Sequence, residues 1–365
     1  MKVALAHDWL TGMRGGERVL EAILELFPDA PLYTLIYKKK STSSFIEDRI
    51  IHTSFLNNIP GIEKHYRKFL PLFPLAVERM KIEEKIDLLI SSSHCVIKGL
   101  KKNSETKHLS YIHSPMRYIY DQFETYFGPQ APLYQQWGAR LTRNYLTSWD
   151  LESNKNVDVM VANSAFVAQR ISNYYNRESE VVHPFVDLRD FEHLWNDFIP
   201  KEDYYCMVTA FAPNKRVDLA IETFNLNQKK LIIIGSGQEE LKLRSMSKSN
   251  IVFLGNVSRE KIIKTLSKAK ALIFPGVEDF GITPLESLAA LTPVIAYKKA
   301  GVLETLNDSV SVFFEEQSVD HLKNAIEKFE IKKFKNEDLL KQAKNFSKEK
   351  FKKELMMQIE RLMNV

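Results

Sequence analysis

A chain of 365 residues, 44% apolar and 27% charged, carries enough material for two packed cores of roughly 150–190 residues each, and no stretch reads as a disordered tail. Its formal net charge of +5 is spread evenly: residues 1–190 hold 24 Lys and Arg against 22 Asp and Glu, and residues 191–365 hold 27 against 24. Neither half concentrates positive charge as a phosphate-backbone binder does, so no nucleic-acid partner is expected.

Alternating β-branched runs and helical patterns read as an α/β chain of parallel sheets covered by helices on both faces. The first half opens with a strand over Val3–Ala6, then His7-Asp8-Trp9 and a turn through Gly12, Gly15 and Gly16. Val19, Leu20, Ile23, Leu24 and Phe27 follow at helical spacing. Further buried strands are expected at Asp87–Ser91, Lys107–His113 and Asp158–Asn163, with Ser164 as the N-cap of the next helix. The rhythm breaks at Pro184, Pro200 and Lys201-Glu202-Asp203, so domains are expected at 1–185 and 204–345, joined by a connection over 186–203.

The second half repeats the alternation. Strands are expected at Cys206–Phe211, Leu231–Ile234, Ile251–Leu254, Ala271–Phe274 and Val294–Ala296, with helices around Val217–Phe224, from Ser258 and over Thr283–Ala290. In open parallel sheets ligands bind beyond the carboxyl ends of the strands. Residues 336–365 read as one or two helices; the last, from 346, packs either on the second domain or back on the first. Cys95 and Cys206 stand in no metal or CxxC spacing, and no secretory signal is evident, which fits a reducing cytosol. No apolar window reaches the ~18–20 residues of a membrane span.

Two glutamates eight positions apart, Glu278 and Glu286, flank the expected start of a helix. Glu278 follows a strand at its carboxyl end, where ligands sit. Thr283-Pro284-Leu285-Glu286 also has the form of a capping box, so Glu286 could serve the cap, a ligand, or both. The same helix N-terminus suits a phosphate. His113, closing a strand, is on its own more often a structural hydrogen-bonding residue. Segment Pro60–Met80, with Lys64, Arg67, Lys68 and Arg79 around an apolar run, could touch an anionic membrane surface or be an ordinary half-buried segment, and Pro71 and Pro74 oppose a single amphipathic helix.

The stretch PGVEDFGITPLESLAALTPVIAYKKAGVLETL resembles the signature of the family 4 retaining glycosyltransferases, which have the GT-B fold: two Rossmann-like domains with parallel sheets facing across a cleft. VTAFAPNKRVDLAIETFN, LIIIGSGQEELKL, IVFLGNVSREKI and VVHPFVDLRDF resemble further segments of that family. AHDWLTGMRGGERVLEAI and YIHSPMRYIYD resemble a bacterial branch that builds surface polysaccharides of the O-antigen or capsule type.

The resemblance implies a donor-binding second domain and an acceptor-binding first domain. Glu278 would hold hydroxyls of the transferred sugar, Glu286 the ribose, and Lys215 the departing diphosphate, while His113 would lie near the reacting centre. Gly15, Gly16, Arg216, Gly235, Gly237, Val257, Phe280, Gly281, Ile282 and Thr283 would complete the donor site. Partners would be a nucleotide sugar, with GDP-mannose leading over UDP- or dTDP-sugars, and a glycan or lipid-linked glycan. Neither metal nor cofactor is implied. One position departs from the pattern: Ala210 stands where the family commonly has arginine. This keeps a catalytically silent binding subunit among the alternatives to a transferase, and a nucleotide-sugar epimerase is a third.

Overall fold

Short strands rich in Val, Ile and Leu need both faces covered, because a parallel sheet leaves neither face to water. A computed structural model describes residues 1–128, 132–196 and 199–364. Among them the strands form two sheets, and all the pairings are parallel. The chain divides into one unit of Met1–His183 with Phe351–Val365 and a second of Pro184–Lys350.

The first unit holds β1 (Val3–Leu10), β2 (Leu32–Tyr37), β3 (Ile51–Thr53), β4 (Leu88–Ser93), β5 (Lys107–Ile112), β6 (Val159–Ala162) and β7 (Glu180–Val181). Their spatial order is β3-β2-β1-β4-β5-β6-β7. The second unit holds β8 (Tyr205–Val208), β9 (Leu231–Ile234), β10 (Ile251–Gly255), β11 (Leu272–Phe274), β12 (Val294–Tyr297) and β13 (Ser311–Phe314), in the order β10-β9-β8-β11-β12-β13. Counted within each unit, the first six strands run 3-2-1-4-5-6, the Rossmann order. Its direction reverses between the first and fourth strands, which opens a crevice there.

Side-chain alternation builds two cores on the second sheet. Leu272, Phe274, Val294 and Ala296 pack to one face with Leu285 and Leu288. Ile273 and Ile295 pack to the other with Leu219, Phe224 and Leu322. Serine caps start several of the covering helices: the hydroxyls of Ser164, Ser258 and Ser318 accept from the N–H groups of Val167, Lys261 and His321.

The structure lengthens one expected element, re-bounds another and chooses between the alternatives open for a third. The opening strand runs on to Leu10, because β2 and β4 pair along both its edges, so His7, Asp8 and Trp9 lie within it. The expected connection falls in the unit Pro184–Lys350, where Phe191 is fully buried and Val186 donates to the Phe346 carbonyl. The C-terminal stretch is two helices, Asn336–Lys344 and Lys348–Met363. From Phe351 onward the last one belongs to the first unit, where Phe351 meets the Tyr111 ring edge-on at 5.7 Å. Within Pro60–Met80, Phe73, Ala76, Val77 and Met80 are buried while Lys64, Arg67 and Lys68 are exposed.

Candidate functional site

In the second unit the crevice position lies between β8 and β11, and each strand delivers one charged residue there. After β8 the chain tightens into the turn Pro213–Lys215, and after β11 it runs through Pro275–Gly281. Backbone contact ties the two loops together, since Val277 donates to the Asn214 carbonyl at 3.2 Å. Gly276 permits that approach: a Cβ there would stand 2.7 Å from the Asn214 oxygen and 2.8 Å from the Lys215 Cα. The consequence is an ion pair, Lys215 Nζ to Glu278 Oε1 at 2.5 Å, with the two side chains 18% and 23% exposed. A cation and a carboxylate thus meet, accessible to a ligand, at the reversal point of the sheet.

Arg216 turns away. Its φ of 50° points the guanidinium to Asp218, at 3.2 and 3.3 Å, and to Gln317. Gly235 and Gly237 follow β9 and pack on the neighbouring loop; a Cβ on Gly235, whose φ is +135°, would lie 1.8 Å from the Thr209 oxygen. Half-buried Val257 follows β10.

The Thr283 capping box does not form. The helix runs Ile282–Ala289 with Gly281 at its N-cap, so Thr283 is already its second residue and no side chain caps it. Glu286 instead accepts from Arg259 Nη1 at 2.6 Å. Arg259 Nε reaches Asp190 at 2.9 Å, its guanidinium lies 5.2 Å from the Phe191 ring centre, and its Nη2 is buried without a hydrogen-bond partner. Phe280 is committed to the core, with its ring 5.7 Å from Phe346, so only its backbone is available to a ligand. Ile282 and Thr283 are half-buried in the first turn.

In the first unit the crevice position lies between β1 and β4. Their register sets His7 opposite Ser92. His7 Nδ1 lies 3.1 Å from Ser92 Oγ, which lies 2.8 Å from His113 Nε2. His7 Nε2 is buried with no partner. Gly15 and Gly16 open the helix Gly15–Leu24, and a Cβ on Gly16 would sit 3.6 Å from the His7 ring and 3.8 Å from that of His113. Asp8 fixes the loop after β4 by accepting four backbone N–H groups, from His94 to Ile97, at 2.7–2.9 Å.

Burial holds the histidines neutral. His7 and His94 are lowered to about 3, and His113 falls well below the ordinary imidazole value through burial and the nearby His94, His7 and Arg117. Burial also pushes the Glu17 carboxyl, in the first turn of the same helix, up to about 7. His7, Ser92, His94 and Arg259 are residues that sequence reasoning did not select. Strand pairing, rather than any local motif, brings the first three together. Among the described residues no group of three or more His, Cys, Asp or Glu could hold a metal ion, and no helix is long and apolar enough to cross a membrane.

Two family models match in succession: Glycosyltransferase Family 4 over residues 14–190 and Glycosyl transferases group 1 over residues 191–349. The chain is 25% identical over 206 residues to the alpha-1,3/1,6-mannosyltransferase ALG2 of Homo sapiens, covering 47% of this chain and 50% of that protein. It is 31% identical over 145 residues to the O-antigen chain mannosyltransferase RfbU of Salmonella typhimurium, covering 35% and 39%. The chain spans about half the length, or less, of the curated relatives it matches. Sucrose-phosphate synthase from Thermosynechococcus elongatus superposes over the full length of both chains with a TM-score of 0.75 at 14% identity, which establishes the GT-B fold. The chain belongs to the family 4, group 1 glycosyltransferases.

Proposed function

We propose that this chain is a retaining hexosyltransferase that moves mannose from GDP-mannose to a hydroxyl of a lipid-linked or growing cell-surface glycan, in the cytoplasm. The observation that carries this reading is the Lys215–Glu278 pair at the reversal point of the second sheet. A nucleoside diphosphate sugar needs a cation at its phosphates and a hydroxyl acceptor at its sugar, and these two side chains offer both. When a diphosphate engages Lys215, Glu278 is released to accept from sugar hydroxyls. The mannosyl specificity rests on the likeness to the mannosyltransferases.

In the proposed reaction the acceptor oxygen bonds to the anomeric carbon on the face from which GDP departs. The bond from that carbon to the phosphate oxygen breaks, and its electron pair stays on the phosphate. That same oxygen takes the acceptor's proton, so the anomeric configuration is kept and no carboxylate nucleophile is used. Glu286, already oriented by Arg259, is proposed to accept from the ribose hydroxyls. The neutral His113 and its Ser92 and His7 partners are proposed to serve the first unit's part in binding the reacting groups.

Ligand-observed NMR against a panel of nucleotide sugars tests the donor. GDP-mannose should show saturation transfer that Glu278→Gln leaves in place while donor turnover stops. Preference for a UDP- or dTDP-sugar would replace the donor, and binding with no turnover at all would favour a silent binding subunit, consistent with Ala210. Because lysine and backbone N–H groups neutralise the diphosphate in this scheme, turnover should persist in excess EDTA; loss restored by magnesium would refute that part.

A further inference from the structure

Among the described residues Leu133–Ser153 is the longest helix, yet of its 21 residues only Leu146, Asp150 and Ser153 are buried. Its outward face carries a stripe at intervals of about four residues: Leu133 72% exposed, Trp137 68%, Leu141 77% and Tyr145 48%, with Tyr134 alongside at 73%. Side chains of this size normally supply a core, and here they point to solvent. Residues 133–149 include Arg140 and Arg143 and no acidic residue.

The neighbouring helix Phe73–Arg79 continues the same chemistry. Trp149 Nε1 donates to Glu78 at 2.6 Å and so links the two helices. Leu72 and Leu75 are exposed on this neighbour and the turn before it, with Lys64, Arg67 and Lys68 exposed just upstream. We propose that this face of the first unit docks on an anionic lipid bilayer, with Trp137, Leu141 and Tyr145 entering the headgroup boundary and Arg140, Lys64 and Lys68 meeting lipid phosphates.

Composition favours this occupant. Tryptophan and tyrosine place an apolar body and a polar tip at the water–hydrocarbon boundary, and the acid-free stretch 133–149 with its exposed Arg140 complements anionic headgroups. A symmetric pairing of two copies through the same stripe would set Arg140 of each against like charge. The inference is independent of which sugar is moved or to what. It shifts the expected contact from Pro60–Met80 alone, where the larger apolar side chains are mostly buried, to the longer helix.

Co-sedimentation of the full chain with vesicles of phosphatidylcholine alone, or with about 30% phosphatidylglycerol, is the test. The parent should partition onto the anionic vesicles and be released by salt. Trp137→Ser with Leu141→Ser should lower the partition coefficient at least about tenfold, with an unchanged thermal midpoint because both side chains are exposed. Leu141→Glu gives a second, single-site variant should the pair fold poorly. Equal partition of parent and variants, or a parent that stays in the supernatant, would overturn the proposal. So would light scattering that shows a parent dimer made monomeric by the same substitutions without any change in vesicle binding.

Discussion

Replacing Lys215 with methionine keeps the length and apolar body of the side chain and removes its charge. The lysine lies 2.5 Å from Glu278, on a turn held by Gly276 and the Val277–Asn214 bond, so the backbone should stay in place. Because both side chains are part-exposed, loss of the ion pair should cost the fold no more than about 1 kcal/mol. Loss of a charge-assisted bond to a departing diphosphate should cost about 1.5–3 kcal/mol in the transition state, which is roughly 10–100-fold in turnover. The difference between the two magnitudes makes the experiment decisive, since a small shift in melting with a large loss of turnover separates chemistry from folding. Arg216→Ala should be much milder, because its guanidinium is engaged by Asp218 and Gln317. Ala210 is exposed in the loop after β8, so Ala210→Arg should partly rescue Lys215→Met. The assay is donor hydrolysis and transfer under saturating donor, with a melt of each variant. Normal turnover in Lys215→Met together with an inactive Arg216→Ala would show that the phosphate cation is the wrong residue.

Three other outcomes follow from the same geometry. Gly276→Ala would drive a Cβ into the Asn214–Lys215 backbone, so it should lower stability by about 1–3 kcal/mol and lose turnover with Lys215 and Glu278 intact; a variant matching the parent in both would show that the loops can part freely. Glu286→Gln should weaken nucleotide affinity, and Arg259→Ala should do the same by leaving Glu286 without its orienting partner; calorimetry with GDP that finds parent affinity in both would remove Glu286 from the ribose. Acid should destabilise the fold. His7 and His94 at about 3, His108 at about 4 and His113 well below 6.5 stay neutral when folded, while the unfolded chain takes up their protons near 6.5. Stability from these groups is complete above pH 6.5 and lost as pH falls toward 4, by up to about 1.4 kcal/mol per pH unit for each histidine. Glu17, raised to about 7, works in the opposite sense between about 4.5 and 7 and offsets roughly one of them. A urea midpoint at pH 5.5 equal to that at pH 7.5 would contradict this balance.

Much of the fold is legible because its strands carry their own signal. Leu231–Ile234 is a four-residue aliphatic run ended by Gly235, and the structure begins and ends that strand at the same residues. Ser164 and Ser258 announce their helices by local capping chemistry, which needs no tertiary information. Where the reading failed, tertiary pairing overrode the local pattern. The aliphatic run over Val3–Ala6 stops at the polar pair His7-Asp8, yet two flanking strands extend β1 through it. Thr283-Pro284-Leu285-Glu286 has capping-box spacing, but Gly281 starts the helix two residues earlier and Arg259 claims the carboxylate. That arginine lies 27 positions upstream, and the packing of its helix, Arg259–Lys268, against Ile282–Ala289 makes it a neighbour. Likewise no spacing rule joins Ser92 to His7 and His113; the β1–β4 and β4–β5 registers do. The helix Leu133–Ser153 carries Leu133, Trp137, Leu141 and Tyr145 at intervals of four, and only the structure shows that this stripe faces solvent and not a core.

The most direct measurement is time-resolved proton NMR of GDP-mannose incubated with the protein, which follows the anomeric proton of the first mannose released or transferred. Retaining transfer through Lys215 and Glu278 predicts that the α anomer appears first and that Glu278→Gln abolishes its appearance while GDP-mannose still binds. First appearance of the β anomer would contradict retention. An unchanged rate in Glu278→Gln would remove the Lys215–Glu278 pair from the reaction.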